Sequence, residues 1–525
     1  MARFFNTTGP CFPEDHYFLP PQSRLRKSHL ERYIRDQMYW VLGGLRQTGK
    51  TTFLQTWMRE INDSGEAVAC YVSVERCQGI PEVEKSLPAI CEAIRHYAKD
   101  FEVPVPPMPQ GSSHTSILTD AIKCWAELCA PKPLVILFDE VDTLEGPAMI
   151  SFLRQLRGGF ASRGIGKFPV SVALVGMRDL RDYLTHSKDG DPVNPGSPFN
   201  IKQDSATLAN FSHEDIVALL GQHTTESGQA FLPEAVEAIW YWTQGQPYLV
   251  NKLADVCVEE ITHRDIHMPI TADMILEAKE ILIQARTTHL DALAERLKQP
   301  QVKRVVQTIM TGDVDPDMGP DSEGVQLCQD LGLIQWTSAR GFEIANPIYR
   351  EVLPRSLNSG YQANIPAPEF QWKNADGTLD MDALLREFQS FWQEHSDVWE
   401  VKADYTEAFP HLLLMAFLQR ILNGGGRITR EYAAGRGRMD LLVEYAKAKH
   451  IIEIKLVRAS KGRAKTLEEA LTQVSRYRAT VGGPDTPTYI ALFDRTPAGR
   501  KLSWEERLTW EVVQTPGGQV AVVGA

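Results

Sequence analysis

The sequence predicts an α/β protein made of two α/β modules in tandem, with a helical region between them. Three observations predict it. From Met38 to about Ile201, short apolar runs alternate with amphipathic stretches, the pattern of a parallel sheet whose strands are joined by helices. From Phe211 to about Thr288 the periodicity is helical throughout. After a polar, proline-bearing stretch, a second α/β pattern begins near Met381 and runs to the end. At 525 residues the chain exceeds one ordinary core, so several domains are expected.

The strands of the first module are expected at Met38–Gly43, Ala67–Val74, Leu134–Phe138 and Val170–Gly176. Residues 1–36 read as a Pro-rich entry segment followed by a charged, helix-like stretch. Residues 300–356 mix short helices with a hairpin, Leu333–Trp336 and Phe342–Ala345 around Arg340-Gly341. Pro354 to Asp376 reads as a linker.

Composition bounds the function classes. Hydrophobic residues make up 43% and charged residues 23%, which is ordinary for a globular protein. The eight cysteines form no CxxC pair and no cluster with histidines, which argues against a structural zinc or a disulfide framework and fits a reducing cytosol. Met1 to Pro20 lacks the basic flank and apolar run of a signal peptide. No apolar run approaches the length that crosses a bilayer. A cytoplasmic protein without a membrane partner is expected. The net charge of −12 is unevenly spread: residues 401–525 carry 19 Lys+Arg against 13 Asp+Glu, or +6, leaving −18 for the rest. A polyanion would bind the basic part.

Gly44-Leu45-Arg46-Gln47-Thr48-Gly49-Lys50-Thr51 fits GxxxxGK[ST] between an apolar strand and an amphipathic helix, Thr51 to Ile61. Gly44 and Gly49 let backbone N–H groups curl around phosphates, and the helix N-terminus adds positive potential. Lys50 would reach the β and γ phosphates of ATP, and the Thr51 hydroxyl would hold Mg²⁺. Thr52, next in the helix, is counted with the nucleotide-binding residues. Leu134 to Phe138 is an apolar run that ends in Asp139 and Glu140. Such a run is a strand buried on both faces, and acids at its C-terminal end sit where open α/β sheets bind ligands. Asp139 would hold Mg²⁺ through water and Glu140 would activate the attacking water. The bland alternative is that Glu140 and Asp142 merely begin the next helix.

The two motifs resemble those of AAA+ ATPases and of the related STAND signal-transduction ATPases. That resemblance implies a P-loop NTPase core over 1–204, a helical lid over 205–295 and a winged-helix module over 296–358. Val175-Gly176-Met177-Arg178 resembles the sensor strand of that family, with Arg178 facing the γ-phosphate; the alternative is a surface arginine. Gly245-Gln246-Pro247-Tyr248 resembles the lid's GxP motif, with Pro247 against the base. Pro247 also suits a helix N-terminus, and both readings can hold. The winged helix reads DNA in some proteins and serves as a spacer in others. Arg154, Arg157 and Arg163 are candidates for a trans-acting arginine finger.

A second constellation lies near the C-terminus. Asp440 opens the apolar strand Leu441-Leu442-Val443 after a Gly/Arg turn, and Ile451 to Leu456 alternates so that Glu453 and Lys455 share one face. Two acids and a lysine on neighbouring strands can converge on a hard cation such as Mg²⁺, which would lower the pKa of bound water and steady charge on a phosphodiester. Glu407 precedes the apolar stretch Ala408–Leu422, and Gln473 and Tyr477 lie four apart on a later helix. From Arg420 to Lys465 there are 12 basic residues against four acidic ones, a composition suited to phosphate contacts. The ordered set Glu407, Asp440, Glu453-x-Lys455 and Gln473-x-x-x-Tyr477 resembles the PD-(D/E)XK nucleases, with Met439 in place of the literal proline. The resemblance implies Asp440 and Glu453 as metal ligands, Lys455 as catalytic, Glu407 as an additional acid, and Gln473 and Tyr477 as supporting residues, all within 379–525 after a linker at 359–378. The alternatives are an ordinary strand with Glu and Lys on its wet face, or a nuclease-like fold without activity. Tyr489, Trp504 and Trp510 are expected in the core rather than stacked on bases.

The parts add up to ATP-controlled cleavage of nucleic acid, DNA ahead of RNA, with ATP and Mg²⁺ (Mn²⁺ also suiting the nuclease site) as cofactors. The architecture resembles prokaryotic defence against phage or plasmids. That analogy implies a homo-oligomer and a partner subunit or phage-derived trigger. The alternative is an ATP-driven assembly switch whose nuclease-like domain holds DNA without cutting. A translocase with a trimming nuclease ranks last, because no helicase motif accompanies the phosphate motifs.

Overall fold

The computed structural model describes the chain apart from residues 1–2, 26, 45–46, 177–201, 286–289, 291–292, 294, 312–318, 321, 339–340, 351, 354–373, 375–376, 401–412, 416, 419–425, 435–436, 446–447, 458–460, 482, 484, 495 and 497. It describes the backbone alone at 27–29, 202–203, 205, 284, 310–311, 395–400, 426–434, 437–440, 479–480 and 500. Two compact units emerge: Met1–Asp291 with Pro320–Ala339 and Ala345–Ile348, and Ala292–Gly319 with Arg340–Ile344 and Tyr349–Ala525.

In the first unit, α1 (Lys27–Arg35), β1 (Tyr39–Gly43), α2 (Lys50–Ser64), β2 (Val68–Ser73), α3 (Val83–Asp100), α4 (Ile117–Cys129), β3 (Leu134–Asp139), α5 (Gly146–Phe160), β4 (Ser171–Val175) and β5 (Lys202–Thr207) follow in order. The five strands are all parallel, in the order β2-β3-β4-β1-β5. The four expected strands are present within a residue or two of their predicted bounds; β5 was not expected. Alternation along the strands builds two cores. Trp40, Leu42, Tyr71 and Leu137 pack with Tyr33 of α1 and with Phe53 and Trp57 of α2. Tyr39, Val41, Val72 and Phe138 face the other way, toward α3, α4 and α5. Each large apolar side chain so buried stabilises the fold by roughly 1.5–3 kcal/mol relative to exposure. With both faces covered, only the strand ends remain for function.

The helical region holds α6 (His213–Ser227), α7 (Pro233–Thr243), α8 (Pro247–Val256) and α9 (Ala272–Gln284). Ser212 caps α6 with a reciprocal capping box to Asp215. Gly245 has φ +73°, and a Cβ there would lie 1.9 Å from the Phe211 carbonyl oxygen. Only glycine allows that approach, and Phe211 N–H donates to the Gly245 carbonyl at 2.8 Å. Further on come α10 (Pro300–Thr311), α11 (Glu323–Asp330), β6 (Ile334–Thr337) and β7 (Gly341–Ile344), the last two being the strands expected on either side of residues 339–340.

In the second unit, α12 (Met381–Glu400) precedes short helical stretches at 413–415 and 417–418. Then come β8 (Gly426–Ala434), β9 (Gly437–Tyr445), β10 (Ala448–Val457), α13 (Gly462–Val481), β11 (Thr488–Asp494), α14 (Trp504–Arg507), β12 (Trp510–Thr515) and β13 (Gly518–Gly524). The sheet order is β12-β13-β11-β10-β9-β8, with β10–β11 and β11–β13 parallel and the other pairs antiparallel. Leu441, Val443, Ile452, Ile454 and Phe493 bury one sheet face against Leu384, Phe388 and Trp392 of α12. The opposite face meets α13: Leu442 and Ile451 pack on Tyr477, and Ile490 and Val522 pack on Ala470 and Val474. Tyr489 lies in the α12-side core, with Trp504 and Trp510 packed against it. Among the described residues no helix is long and apolar enough to cross a membrane.

Candidate functional site

The phosphate loop closes the β1 end and opens α2. Gly44 has φ +137° and Gly49 φ +88°, both left-handed values that favour glycine. Gly49 is the N-cap of α2 and offers no side-chain cap, and the first-turn backbone N–H groups of a helix suit an anionic ligand. Lys50 Nζ donates to the Gly44 carbonyl at 2.6 Å, which holds the lysine along the loop.

Across the sheet edge, β3 ends on Asp139, 1% exposed. Thr51 Oγ1 donates to Asp139 Oδ2 at 2.7 Å, and Tyr71 Oη donates to the same oxygen at 3.2 Å. Burial pushes the Asp139 carboxyl above the ordinary aspartate range, while the Thr51 hydrogen bond and the Lys50 charge pull it back. The hydroxyl and carboxylate are hard oxygen donors meeting at one point, a donor set that fits Mg²⁺ with its waters. Glu140 follows with φ +56°. A left-handed glutamate costs about 1–3 kcal/mol and is found where surrounding structure holds a functional group in place. It stands before a short 3-10 turn, Val141–Thr143, rather than beginning α5. Gly49, Lys50, Thr51, Asp139, Glu140 and Asp142 line one cavity of about 310 Å³.

A second cavity, about 100 Å³, adjoins it and shares Gly9, Gln47, Gly49 and Thr52 as walls. Pro247, Tyr248 and Asn251 of α8 line it, with Cys11, Tyr17, Phe18 and Arg24 of the N-terminal segment. Pro247 is also the first residue of α8, after Gln246, whose side chain accepts from Leu249 N–H at 2.7 Å. The helix N-terminus reading of the Gly245-Gln246-Pro247 stretch is thus observed, and Pro247 also faces a cavity. Sequence reasoning read residues 1–36 only as an entry segment and a helix-like stretch and missed that this segment lines the cavity. It is strapped to α2 by Cys11 N–H on Thr52 Oγ1 at 3.0 Å. It is strapped to α6 by a reciprocal pair, Phe18 N–H to Gln222 Oε1 at 3.0 Å and Gln222 Nε2 to the Phe18 carbonyl at 2.7 Å. The buried Tyr17 hydroxyl meets His223 Nδ1 at 3.0 Å. Only an aromatic-rich, polar-tipped stretch hinted at this. Arg178 lies outside the described residues. Of the three finger candidates, Arg163 is tied to the Gln37 carbonyl at 3.2 Å and lies over Phe160, while Arg154 and Arg157 are exposed on α5.

In the second unit, β10 carries Glu453, 1% exposed, and Lys455 Nζ lies 2.6 Å from Glu453 Oε1. The strand alternates as expected: Ile452 and Ile454 enter the α12-side core, while Ile451 packs on Tyr477 of α13. Glu453 and Lys455 therefore stand on the α13 face. On α13, Gln473 Oε1 is buried and accepts no hydrogen bond among the described residues, and Tyr477 is 5% exposed. On β9, Leu441 pairs with Ile452 and Leu442 with Ile451. Asp440 precedes Leu441 on that strand; its side chain and all of Glu407 lie outside the described residues. Glu453 offers hard carboxylate oxygens, but among the described residues no group of three or more Asp, Glu, His or Cys side chains gathers to hold a metal ion.

The first unit thus has the parallel sheet and phosphate loop of the P-loop NTPase fold, and the second a mixed sheet with a Glu-x-Lys strand against a Gln/Tyr helix. Residues 405–482 match the family model described as the PD-(D/E)XK nuclease superfamily. One chain therefore carries a P-loop NTPase fold followed by a region similar to the PD-(D/E)XK nuclease superfamily. Among solved structures it is similar to the Walker-type ATPase PABY2304 of Pyrococcus abyssi, at 14% identity, TM-score 0.46, over 66% of this chain and 99% of that one. It is also similar to the RuvB Holliday junction branch migration motor of Thermotoga maritima, at 13% identity, TM-score 0.34, over 62% and 93%. A third is Cdc6p from Pyrobaculum aerophilum, at 14% identity, TM-score 0.35, over 64% and 94%. No curated protein matches the chain.

Proposed function

We propose that the chain binds and hydrolyses ATP with Mg²⁺ in its first unit and thereby controls a metal-dependent nuclease in its second. The observation that carries the nuclease half is the buried Glu453 carboxylate with Lys455 Nζ at 2.6 Å on the strand face that meets Gln473 and Tyr477. Leu442 packs on Tyr477, and period-two alternation along a strand supports assigning position 440 to that same face. That register supports Asp440 as the partner acid. A divalent cation bound there supplies charge and a water of lowered pKa for phosphodiester hydrolysis. Asp440 and Glu453 hold that cation, Lys455 steadies the developing negative charge, and Glu407 adds an acid from the helix side. Gln473 orients the constellation from α13.

In the first unit, Lys50, Thr51 and the loop glycines hold the phosphates. Thr51 and Asp139 hold Mg²⁺, Glu140 orients the attacking water, Arg178 senses the γ-phosphate, and Pro247 packs on the base. Basic residues between Arg420 and Lys465 supply phosphate contacts along DNA, ahead of RNA. The setting is a prokaryotic cytoplasmic defence system of the STAND type, working as a homo-oligomer answering a partner subunit or phage-derived trigger. The test is purified protein with plasmid, linear DNA and RNA, with and without ATP and with Mg²⁺ or Mn²⁺. Metal-dependent cleavage that changes with ATP supports the proposal. ATP turnover and DNA retention without cleavage in any arm supports the alternative, a switch that holds DNA without cutting.

A further inference from the structure

Arg24 sits where the N-terminal segment meets the phosphate loop. Its guanidinium packs so closely on Gly49 that a Cβ there would lie 2.8 Å from Nη2. Nη1 donates to the Ala209 carbonyl at 3.2 Å, and the guanidinium lies 5.2 Å from the centre of the Phe211 ring. Nε is out of solvent and has no hydrogen-bond partner among the described residues. Among those residues the side chain makes no ion pair. The acid whose charge reaches it, Asp215, is engaged in the cap of α6. Burial lowers its pKa to about 10.

A guanidinium partly withdrawn from water, with its Nε buried and no counter-ion among the described residues, is left short of acceptors. This one lines the cavity that continues into the phosphate cavity past Gly49. An anionic ligand in that cleft would supply the missing charge and the missing acceptors, and guanidinium suits phosphate oxygens better than any other side chain. We infer that Arg24 is a phosphate-binding residue, delivered by the N-terminal segment to the nucleotide di- or triphosphate at the loop. The assignment rests on the reading of this cleft as a nucleotide site. Because Arg24 also holds Ala209 and Phe211, just before α6, capture of the phosphate ties the loop to the start of the lid.

The test uses the full chain, with ADP and ATPγS titrated calorimetrically into wild type, Arg24→Met and Arg24→Lys, and melting followed with and without ADP. Arg24→Met should weaken both nucleotides about 10- to 100-fold, the scale of a charge-assisted hydrogen bond. Arg24→Lys should recover part of that loss. Nucleotide-free Arg24→Met should melt no lower than wild type, because an unpaired, partly buried charge has been removed, yet lose most of the ADP-induced rise. A purely structural arginine gives the opposite pattern, a lower melting temperature with unchanged affinity, and that result overturns the assignment. Wild type that binds neither nucleotide removes the nucleotide reading itself. Wild type and both variants binding equally tightly removes the role of Arg24 alone.

Discussion

Replacing Lys455 by Met isolates the electrostatics of the proposed nuclease site from its chemistry. The Glu453 side chain is 2% exposed and that of Lys455 is 24% exposed, with 2.6 Å between charges. Exposed ion pairs contribute about 0.2–1 kcal/mol, whereas breaking a fully buried pair costs about 3–5 kcal/mol because a charge is stranded. With one partner buried and the other partly wet, the expected cost is about 2 kcal/mol. In a unit of this size that is a fall of about 4–8 °C in its melting transition. Methionine keeps most of the lysine stem's packing, so the loss reports charge rather than volume. Adding Glu453→Gln removes the carboxylate charge that Lys455 faced and should recover most of the loss. The assay is scanning calorimetry of the full chain at pH 7.5 and low salt, with chelator present. A double variant that melts at or below Lys455→Met would refute the idea that Glu453 is a buried charge held by this lysine.

Other expectations follow from the ATPase unit. Lys50→Ala should abolish nucleotide binding without lowering the melting temperature by more than about 1–2 °C, since the lysine contacts loop and ligand rather than core; equilibrium binding and a melt on one sample check both. Glu140→Gln should retain ATP and lose about 10²- to 10⁴-fold in turnover, measured as phosphate release. Asp139→Asn should lose Mg²⁺-dependent turnover yet raise the melting temperature of nucleotide-free protein. Burial raises the folded pKa of Asp139, so between the ordinary aspartate value and that raised value the folded state binds more protons than the unfolded. Stability therefore falls as pH rises through that window and stays lower above it. The wild type should show this component of the pH dependence of melting and Asp139→Asn should lack it.

The parts of the sites written within one element were legible in the sequence. Glu453 and Lys455 are two apart on an alternating strand, and Gln473 and Tyr477 are four apart on a helix, so spacing alone placed them. The GxxxxGK[ST] loop and the acids ending β3 were legible for the same reason: local conformation and chemistry coincide. What could not be read depends on long-range register. Strand β5, Lys-Gln-Asp-Ser-Ala-Thr, is polar because it sits at a sheet edge beside β1, and its identity comes from backbone pairing rather than from apolar pattern. Strand β8 is an edge strand of the second sheet with a similarly mixed sequence. Tyr71 reads as one more apolar strand residue, and only the β2–β3 pairing carries its hydroxyl to Asp139. Arg24 and Gly49 meet 25 residues apart along the chain, and no periodicity encodes that contact.

The most direct test of two coupled active sites in one chain compares wild type, Lys50→Ala and Asp440→Asn on labelled double-stranded DNA, with ATP and Mg²⁺ or Mn²⁺, while phosphate release is followed in the same tubes. Wild type should cut DNA and hydrolyse ATP. Asp440→Asn should lose cleavage and keep hydrolysis, and Lys50→Ala should lose hydrolysis and change the rate of cleavage. Cleavage by Asp440→Asn at the wild-type rate, or no cleavage by wild type in any arm, would contradict the account.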